Sequence, residues 1–198
     1  SGGKRGIIGI NIGPNKDTKD QKNDFCLGLK NFFDMADYIT VNISSPNTEG
    51  LRDFHDQEKL KNLLLALNKI KQDNKTSIPL LLKISPDIED HHISEIVDVA
   101  TKNDISAIIL TNTTDGNRDK LVSDTKNEEG GLSGEPLQKI STNMIKKFYK
   151  QLNGKIPIIG VGGINSGKSA YEKIIAGASL LQLYTGFVYR GPLVAKDI

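Results

Sequence analysis

The sequence lacks the features that would tie it to a membrane, to nucleic acid or to a disulfide framework. It has one cysteine, Cys26, in 198 residues, so no internal disulfide can form. We expect that thiol to be buried as a small apolar group within a helix. No apolar run approaches the roughly 20 residues that a membrane-spanning helix needs. The formal net charge is only +2, and the interspersed charges predict solvated helix faces and no nucleic acid as a partner.

Common ligand motifs are also missing. There is no phosphate-binding loop ending in Gly-Lys-Ser/Thr and no dinucleotide fingerprint. The spacing of the histidines does not fit a metal site, so we predict none. His91 and His92 are adjacent, so they do not share a helix face and should be exposed, whereas His55 lies in an acidic, polar stretch. The length fits one domain, which we place at residues 1–198.

Six short runs rich in Ile, Leu and Val alternate with helical patterns. The runs cover residues 6–12, 38–44, 79–84, 107–112, 157–161 and 180–184. They are mostly continuous, which is typical of parallel strands covered on both faces. Apolar stripes at helical spacing fall within 60–70, 93–100 and 144–152, and the segments 20–35 and 170–176 fill the remaining gaps. This order predicts a parallel sheet with right-handed crossovers.

The residues at the strand ends distinguish between two possible architectures, an open doubly wound sheet and a closed barrel. Five of the six runs end in polar or small residues, and the sixth ends in glycines. An open sheet concentrates its ligand groups at one switch point, whereas a barrel gathers them from many strands onto one rim. The glycines at 160, 162 and 163 suit a phosphate site after strands 7 and 8. We therefore predict an α/β fold, a (β/α)8 TIM barrel, of which this chain supplies about six βα units.

Lys83 is the most unusual residue on physical grounds. It lies within Leu80-Leu81-Leu82-Lys83-Ile84, where an unpaired ammonium would be costly to bury. One interpretation is a lysine whose stem runs along an edge strand to solvent. The others are a lysine that forms a Schiff base and a lysine that faces an electron-rich cofactor.

Ser45 stands at the end of the second apolar run, before Pro46. A serine before proline is usually only a turn residue, because the proline ends the strand. Here Asn42, Asn47 and Thr48 surround it, and paired amides can hold a planar polar ligand. The segment 47–51 then serves as a candidate mobile lid.

Other polar groups stand at further strand ends. Asparagines end three different strands, at Asn11, Asn42 and Asn112, which is hard to explain by turn formation alone. The longest irregular segment, 115–134, has the length of a functional loop. It finishes in Gly130-Gly131-Leu132-Ser133-Gly134, which fits either ordinary helix capping or a backbone that approaches a cofactor.

Five motifs occur in a fixed order along the chain. They are Asn42-Ile43-Ser44-Ser45-Pro46-Asn47-Thr48, Leu82-Lys83-Ile84-Ser85-Pro86-Asp87, Thr111-Asn112-Thr113-Thr114, Gly130-Gly131-Leu132-Ser133-Gly134 and Pro157-Ile158-Ile159-Gly160-Val161-Gly162-Gly163. In this order they resemble the quinone-linked class of dihydroorotate dehydrogenases, from about Gly6 to the end of the chain. The resemblance implies an FMN-binding catalytic barrel that oxidises dihydroorotate to orotate in pyrimidine biosynthesis. In that family a base removes the C5 proton and a hydride passes from C6 to the flavin.

The resemblance also implies roles for individual residues. Ser45 corresponds to the catalytic base, where the cytosolic class has cysteine, and Thr48 to a relay for its proton. The residues that would bind FMN are Asn11, Asn42, Lys83, Thr111, Gly134, Gly163, Tyr184 and Thr185. Those that would bind the substrate are Asn42, Asn47, Asn112 and Thr113. Lys83 would stabilise negative charge on the reduced flavin ring.

Parts of the family pattern have no counterpart in this chain. The first two strands, and the N-terminal helices that dock on the membrane and form the quinone tunnel, are absent. The resemblance implies a quinone acceptor and a peripheral location on a bacterial inner membrane, at its cytoplasmic face, or on the mitochondrial inner membrane. Two alternatives stay open: a Schiff-base lyase or aldolase that uses Lys83, and an inactive piece with uncovered strand edges.

Overall fold

A computed structural model describes residues 6–116, 118–119 and 121–198. Six strands form one parallel sheet, in which every strand pairs with the next one along the chain. They are β1 (Gly9–Ile12), β2 (Tyr38–Asn42), β3 (Leu80–Ile84), β4 (Ile105–Leu110), β5 (Ile158–Val161) and β6 (Leu180–Gln182). A doubly wound sheet reverses its strand order, and this sheet does not. The prediction of six βα units of an α/β barrel is therefore confirmed.

Helices connect the strands and cover the outside of the sheet. They are α1 (Gln21–Phe32), α2 (Gln57–Asp73), α3 (Asp90–Lys102), α4 (Gln138–Leu152), α5 (Gly167–Ile175), α6 (Thr185–Arg190) and α7 (Val194–Asp197). Local sequence fixes where they begin: the Asp56 side chain accepts from the Lys59 amide at 3.0 Å, and Ser166 forms a capping box with Ser169. The three apolar stripes predicted from sequence are buried against the strands.

The sheet has an apolar layer on each face. The outer layer is the main core, between strands and helices. The inner layer is smaller and consists of Leu81, Ala107, Ile109 and Ile159. Lys83 follows Leu81 on the same face because side chains alternate along a strand. The inner face is therefore apolar at depth and polar where the strands end.

Several predicted boundaries were wrong by a few residues. The run 107–112 is a strand over Ile105–Leu110, and the run 180–184 is a strand only to Gln182. After β4, the Thr111 and Asn112 amides still donate to the carbonyls of Val161 in β5 and Ile84 in β3, whereas Tyr184 precedes helix α6. Cys26 lies within α1 as predicted, but it is only partly buried against the core, and this burial raises the pKa of its thiol.

Within the described residues, none of the helices combines the length and the apolar composition that crossing a bilayer would require.

Candidate active site

Two adjacent cavities open at the carboxyl ends of the strands. The larger has a volume of about 900 Å³ and lies over β4, β5 and β6. The smaller, about 410 Å³, lies over β1, β2 and β3. Lys83, Asn112 and Thr113 line both of them. Volumes in this range suit a cofactor and a small substrate side by side.

The floor between the cavities is a network of amides and hydroxyls. The Asn112 Nδ2 group donates to Asn42 Oδ1 at 3.2 Å and to Ser44 Oγ at 3.0 Å. Ser44 Oγ donates to Asn42 Oδ1 at 2.8 Å, and Ser44 is fully buried. The Thr113 amide donates to Asn112 Oδ1 at 2.7 Å. These bonds fix both asparagine side chains, and Asn42 Nδ2 keeps no acceptor among the described residues.

Ser45 lies at the wall of the smaller cavity. Its Oγ accepts from the Asn47 amide at 3.2 Å, so the hydroxyl proton stays available to another acceptor. Pro46 and Asn47 line the same cavity, whereas Thr48 lines neither. No hydrogen bond joins the Thr48 and Ser45 hydroxyls in the described part of the chain. The relay role of Thr48 therefore stays a prediction.

Lys83 extends from β3 into the space between the two cavities. Burial lowers the pKa of its ammonium group, which is only partly exposed. Of the residues that the structure describes, none accepts a hydrogen bond from it or forms an ion pair with it. A partly buried ammonium of this kind is stabilised by an electron-rich or anionic ligand.

The wall of the larger cavity is built from glycine-rich backbone. Gly162 and Gly163 have φ of +116° and +71°, and a Cβ at Gly163 would lie 2.6 Å from Gln138 Cα. Only glycine fits there without displacing backbone. Gly134 lies across the cavity, where Thr185 Oγ1 donates to Ser133 Oγ at 2.9 Å. The Gly162 and Gly163 amides find no acceptor among the described residues, which fits an anion such as a phosphate.

The structure thus brings together nearly all of the predicted site residues. The smaller cavity is lined by Asn11, Asn42, Ser45, Asn47, Lys83, Asn112 and Thr113. The larger one is lined by Lys83, Thr111, Asn112, Thr113, Gly134, Gly163, Tyr184 and Thr185. Tyr38, Thr40 and Gln182 also line the smaller cavity and were missed. Their alternate spacing along the strands places them inside the sheet, a signal that was available in the sequence.

Two further polar side chains, Arg52 and His55, connect the loops around the site. Both lie on the short 3₁₀ helix Leu51–His55, which follows the segment that carries Ser45. Arg52 contacts Asp87 at 3.0 Å and Asp115 at 2.9 Å. His55 is buried, and sequence reasoning missed it. Burial lowers the pKa of His55 to about 4. The nearby Arg52 and His92 side chains lower it further, whereas the hydrogen bond to the Arg52 carbonyl raises it.

The two remaining histidines lie at the start of α3, outside both cavities. His91 is exposed as predicted, but His92 is only partly exposed. One ligand atom each from His91, His92 and Glu95 come within 4.8 Å of one another. A helix N-terminus disfavours a cation, and His91 already contacts Glu89 at 3.4 Å. The absence of a metal site therefore stays our prediction.

A family model described as dihydroorotate dehydrogenase matches residues 3–198. Among curated proteins, the chain is 47% identical to a dihydroorotate dehydrogenase (quinone) of Christiangramia forsetii over 98% of this chain and 58% of the relative. It is 49% identical to the Vibrio cholerae protein of the same name, over 98% of this chain and 59% of that one. The match to the Bartonella tribocorum protein has 45% identity over 96% of this chain and 54% of the relative.

Solved structures give the same result. A dihydroorotate dehydrogenase from Eimeria tenella in complex with ferulenol superposes with a TM-score of 0.91 and 37% identity, over 97% of this chain and 56% of that one. The ligand-free enzyme superposes with a TM-score of 0.91 and 37% identity, over 98% and 58%. The chain therefore spans less than two thirds of the length of each of these relatives.

Proposed function

The chain belongs to the dihydroorotate dehydrogenase family, and from this we propose that the protein containing it oxidises dihydroorotate to orotate. In the proposal FMN is the redox cofactor, a quinone is the final electron acceptor, and residues 1–198 are the larger part of one catalytic domain. The step belongs to de novo pyrimidine biosynthesis, the role that the resemblance implies.

The observation that carries this proposal is the position of Lys83 between two unlike cavities. On one side are glycine amides suited to a phosphate, and on the other are amides and hydroxyls suited to a planar polar ring. The Lys83 ammonium has no protein partner among the described residues. A flavin whose phosphate lies against Gly162 and Gly163 would place its ring near this ammonium. The residues present therefore fit FMN.

The proposed cofactor contacts follow from the lining of the larger cavity. Gly134, Gly163, Tyr184 and Thr185 would hold the phosphate end, and Thr111 and Lys83 the ring. Asn11 and Asn42 line the smaller cavity and would reach the ring from the other side. FMN, when bound, supplies the acceptor for the hydride that leaves C6 of dihydroorotate.

Ser45 performs the proton transfer in this scheme. As the C5–H bond of the substrate breaks, Ser45 Oγ takes that proton and passes its own hydroxyl proton on, and the electron pair of the C5–H bond forms the new C5–C6 double bond while hydride leaves C6. A serine hydroxyl is a weak base at its usual pKa, so it needs a site that excludes water. Pro46 and Asn47 already line the smaller cavity, and the segment 47–51 would close over it as a lid and exclude water, with Thr48 as the exit for the proton.

The substrate would be held by the fixed amide network. Asn42, Asn47, Asn112 and Thr113 offer both donors and acceptors to a planar ring with amide edges and a carboxylate. Because internal hydrogen bonds already fix Asn42 and Asn112, little side-chain freedom is lost on binding. This preorganisation favours one orientation of the ring over Ser45.

The acceptor and the location rest on the relatives. The curated relatives carry quinone in their names, which supports a quinone as the partner of the reduced flavin. We propose a peripheral location on a bacterial inner membrane, at its cytoplasmic face, or on the mitochondrial inner membrane, through helices outside this chain. A Schiff-base lyase on Lys83 is the alternative, but no relative among those described above supports it.

The test uses the full-length gene product that contains this chain. Purified protein should be yellow, contain FMN, and form orotate from dihydroorotate when a short-chain quinone is supplied. Omitting the quinone under anaerobic conditions should limit the product to one equivalent per flavin. A colourless protein that binds no added FMN and forms no orotate would overturn the proposal. Borohydride trapping of a carbonyl substrate on Lys83 would favour the lyase instead.

A further inference from the structure

We propose that Arg52 is a positioning residue, which holds the segment bearing Ser45 so that Ser45 stays in its reactive position. The inference rests on the proposed function, but it concerns residues outside both cavities. Arg52 acts together with two carboxylates, and we refer to Arg52, Asp87 and Asp115 as the Arg52 cluster. None of the three lines either cavity described above. Their effect on the reaction must therefore pass through the loops that they join.

The segment 45–51 has few contacts of its own. Its internal hydrogen bonds are Asn47 N to Ser45 Oγ at 3.2 Å and Leu51 N to Thr48 O at 3.3 Å. Outside the segment, the Gln21 side chain donates to the Glu49 carbonyl at 2.7 Å, and the Asp53 amide donates to the Gly50 carbonyl at 3.1 Å. Asn47, Glu49 and Gly50 are exposed. A segment with so few contacts needs a fixed end to keep Ser45 in one position.

Arg52 provides that fixed end. It directly follows Leu51, which is fully buried, and its carbonyl accepts from His55 Nδ1 at 2.8 Å. Its guanidinium reaches Asp87 after β3 and Asp115 after β4. The Arg52 and Asp87 side chains are only 27% and 24% exposed, so solvent screens this pair less than an ordinary surface pair. One side chain thus joins the loops of three successive strands.

The carboxylates are themselves held in place. Asp87 Oδ1 accepts from the Thr114 hydroxyl, and Thr114 is fully buried. The Asp115 amide donates to Asp87 Oδ2 at 3.3 Å. Thr114 also pairs through its backbone with Leu132 in the glycine-rich loop. The Arg52 cluster is therefore connected to the loops that carry Asn112, Thr113 and Gly134.

The charge balance explains why arginine is required. Two carboxylates meet near one guanidinium, and a fork of N–H donors can satisfy both at once. Without Arg52, Asp87 and Asp115 would repel each other, and the loops after β3 and β4 would separate. Lysine keeps the charge but offers a single ammonium. We expect it to hold one carboxylate well and the other poorly.

The experiment compares Arg52→Met and Arg52→Lys with the wild-type holoenzyme. We expect anaerobic flavin reduction by dihydroorotate to slow by about 10- to 100-fold in Arg52→Met, since a displacement near 1 Å can cost about that much. Arg52→Lys should be intermediate, and both should retain FMN. Amide hydrogen exchange in 45–51 should accelerate while α4 and β5 stay protected. Lys59→Met is the matched control, because it breaks an exposed ion pair with Asp53 at 2.8 Å beside the same segment.

Each outcome decides between the two proposals. If dihydroorotate does not reduce the flavin of the wild type, the proposed function fails. Amide hydrogen exchange in 45–51 then still tests whether the Arg52 cluster holds that segment. Wild-type reduction rates in both Arg52 variants would overturn the positioning role. So would faster exchange spread over the whole chain in Arg52→Lys, because that result describes general destabilisation. Asp87→Asn gives a second route to the same test if Arg52→Met does not fold.

Discussion

The buried histidine beside the site should make the protein sensitive to mild acid. Burial lowers the pKa of His55 from its usual 6.5 to about 4. The folded protein therefore keeps this ring neutral in the range where the unfolded chain already binds a proton. Stability from this group is complete above pH 6.5 and is lost as the pH falls towards 4. At about 1.36 kcal/mol per pH unit, the unfolding free energy should fall by about 3 kcal/mol across that range.

The contacts of His55 explain the direction. Its Nδ1 faces the Arg52 carbonyl at 2.8 Å, and the Ser85 amide donates to its Nε2 at 3.4 Å. A ring that donates from Nδ1 and accepts at Nε2 is neutral. Protonation of Nε2 would lose the bond from Ser85 and add a charge next to Arg52. The cost therefore falls on the loop after β3 and on the helix that follows Ser45.

Urea denaturation of the full-length protein at a series of pH values between 7.5 and 4 measures this effect. His55→Gln removes the titrating group, so its unfolding free energy should fall less steeply than that of the wild type. His91→Gln is the matched control, because it makes the same substitution at an exposed histidine outside both cavities. If wild type and His55→Gln lose stability in parallel over this range, the reasoning about His55 is refuted.

Two further substitutions test the cofactor site. Lys83→Met should weaken FMN binding by about 10- to 100-fold, which is the contribution of one charge-assisted hydrogen bond. A fluorescence titration of the apoprotein with FMN measures this affinity. An unchanged affinity would contradict the role proposed for Lys83. Gly163→Ala should lose FMN and destabilise the protein by about 1–3 kcal/mol, because its Cβ would lie 2.6 Å from Gln138 Cα. Gly154→Ala is its control, because φ is similar at +75° but no atom lies within 4 Å of the added Cβ, so FMN should be retained. Equal losses of FMN in the two variants would exclude a special role for Gly163.

The fold was predictable because the same pattern of an apolar strand followed by an amphipathic helix recurs along the chain. Continuous apolar runs, each followed by an amphipathic helix, leave few alternatives to a parallel sheet. The stripe at Leu60, Leu63 and Leu64 is buried as its spacing predicts. Strand ends were less predictable. Thr111 extends an apolar run in sequence, but the strand ends at Leu110, although the Thr111 amide still donates to Val161 in β5.

The site was predictable only in its strand-end residues. Ser45, Asn112 and Lys83 stand out against their neighbours, and the order of motifs assigns them roles. His55 and Arg52 gave no such signal, because the neighbouring Asp53 and Asp56 predict an exposed, polar stretch. Their importance depends on which loops meet in space, and neither periodicity nor spacing along the chain contains that information.

We propose that Ser45 removes a proton from dihydroorotate while hydride leaves for FMN. Stopped-flow absorbance of the anaerobic holoenzyme follows that step directly, as loss of the flavin band in a single turnover. We predict rapid bleaching in the wild type and a rate at least about 100-fold lower in Ser45→Ala, with FMN still bound. Bleaching of Ser45→Ala at the wild-type rate, or no bleaching of the wild type at all, would contradict the account.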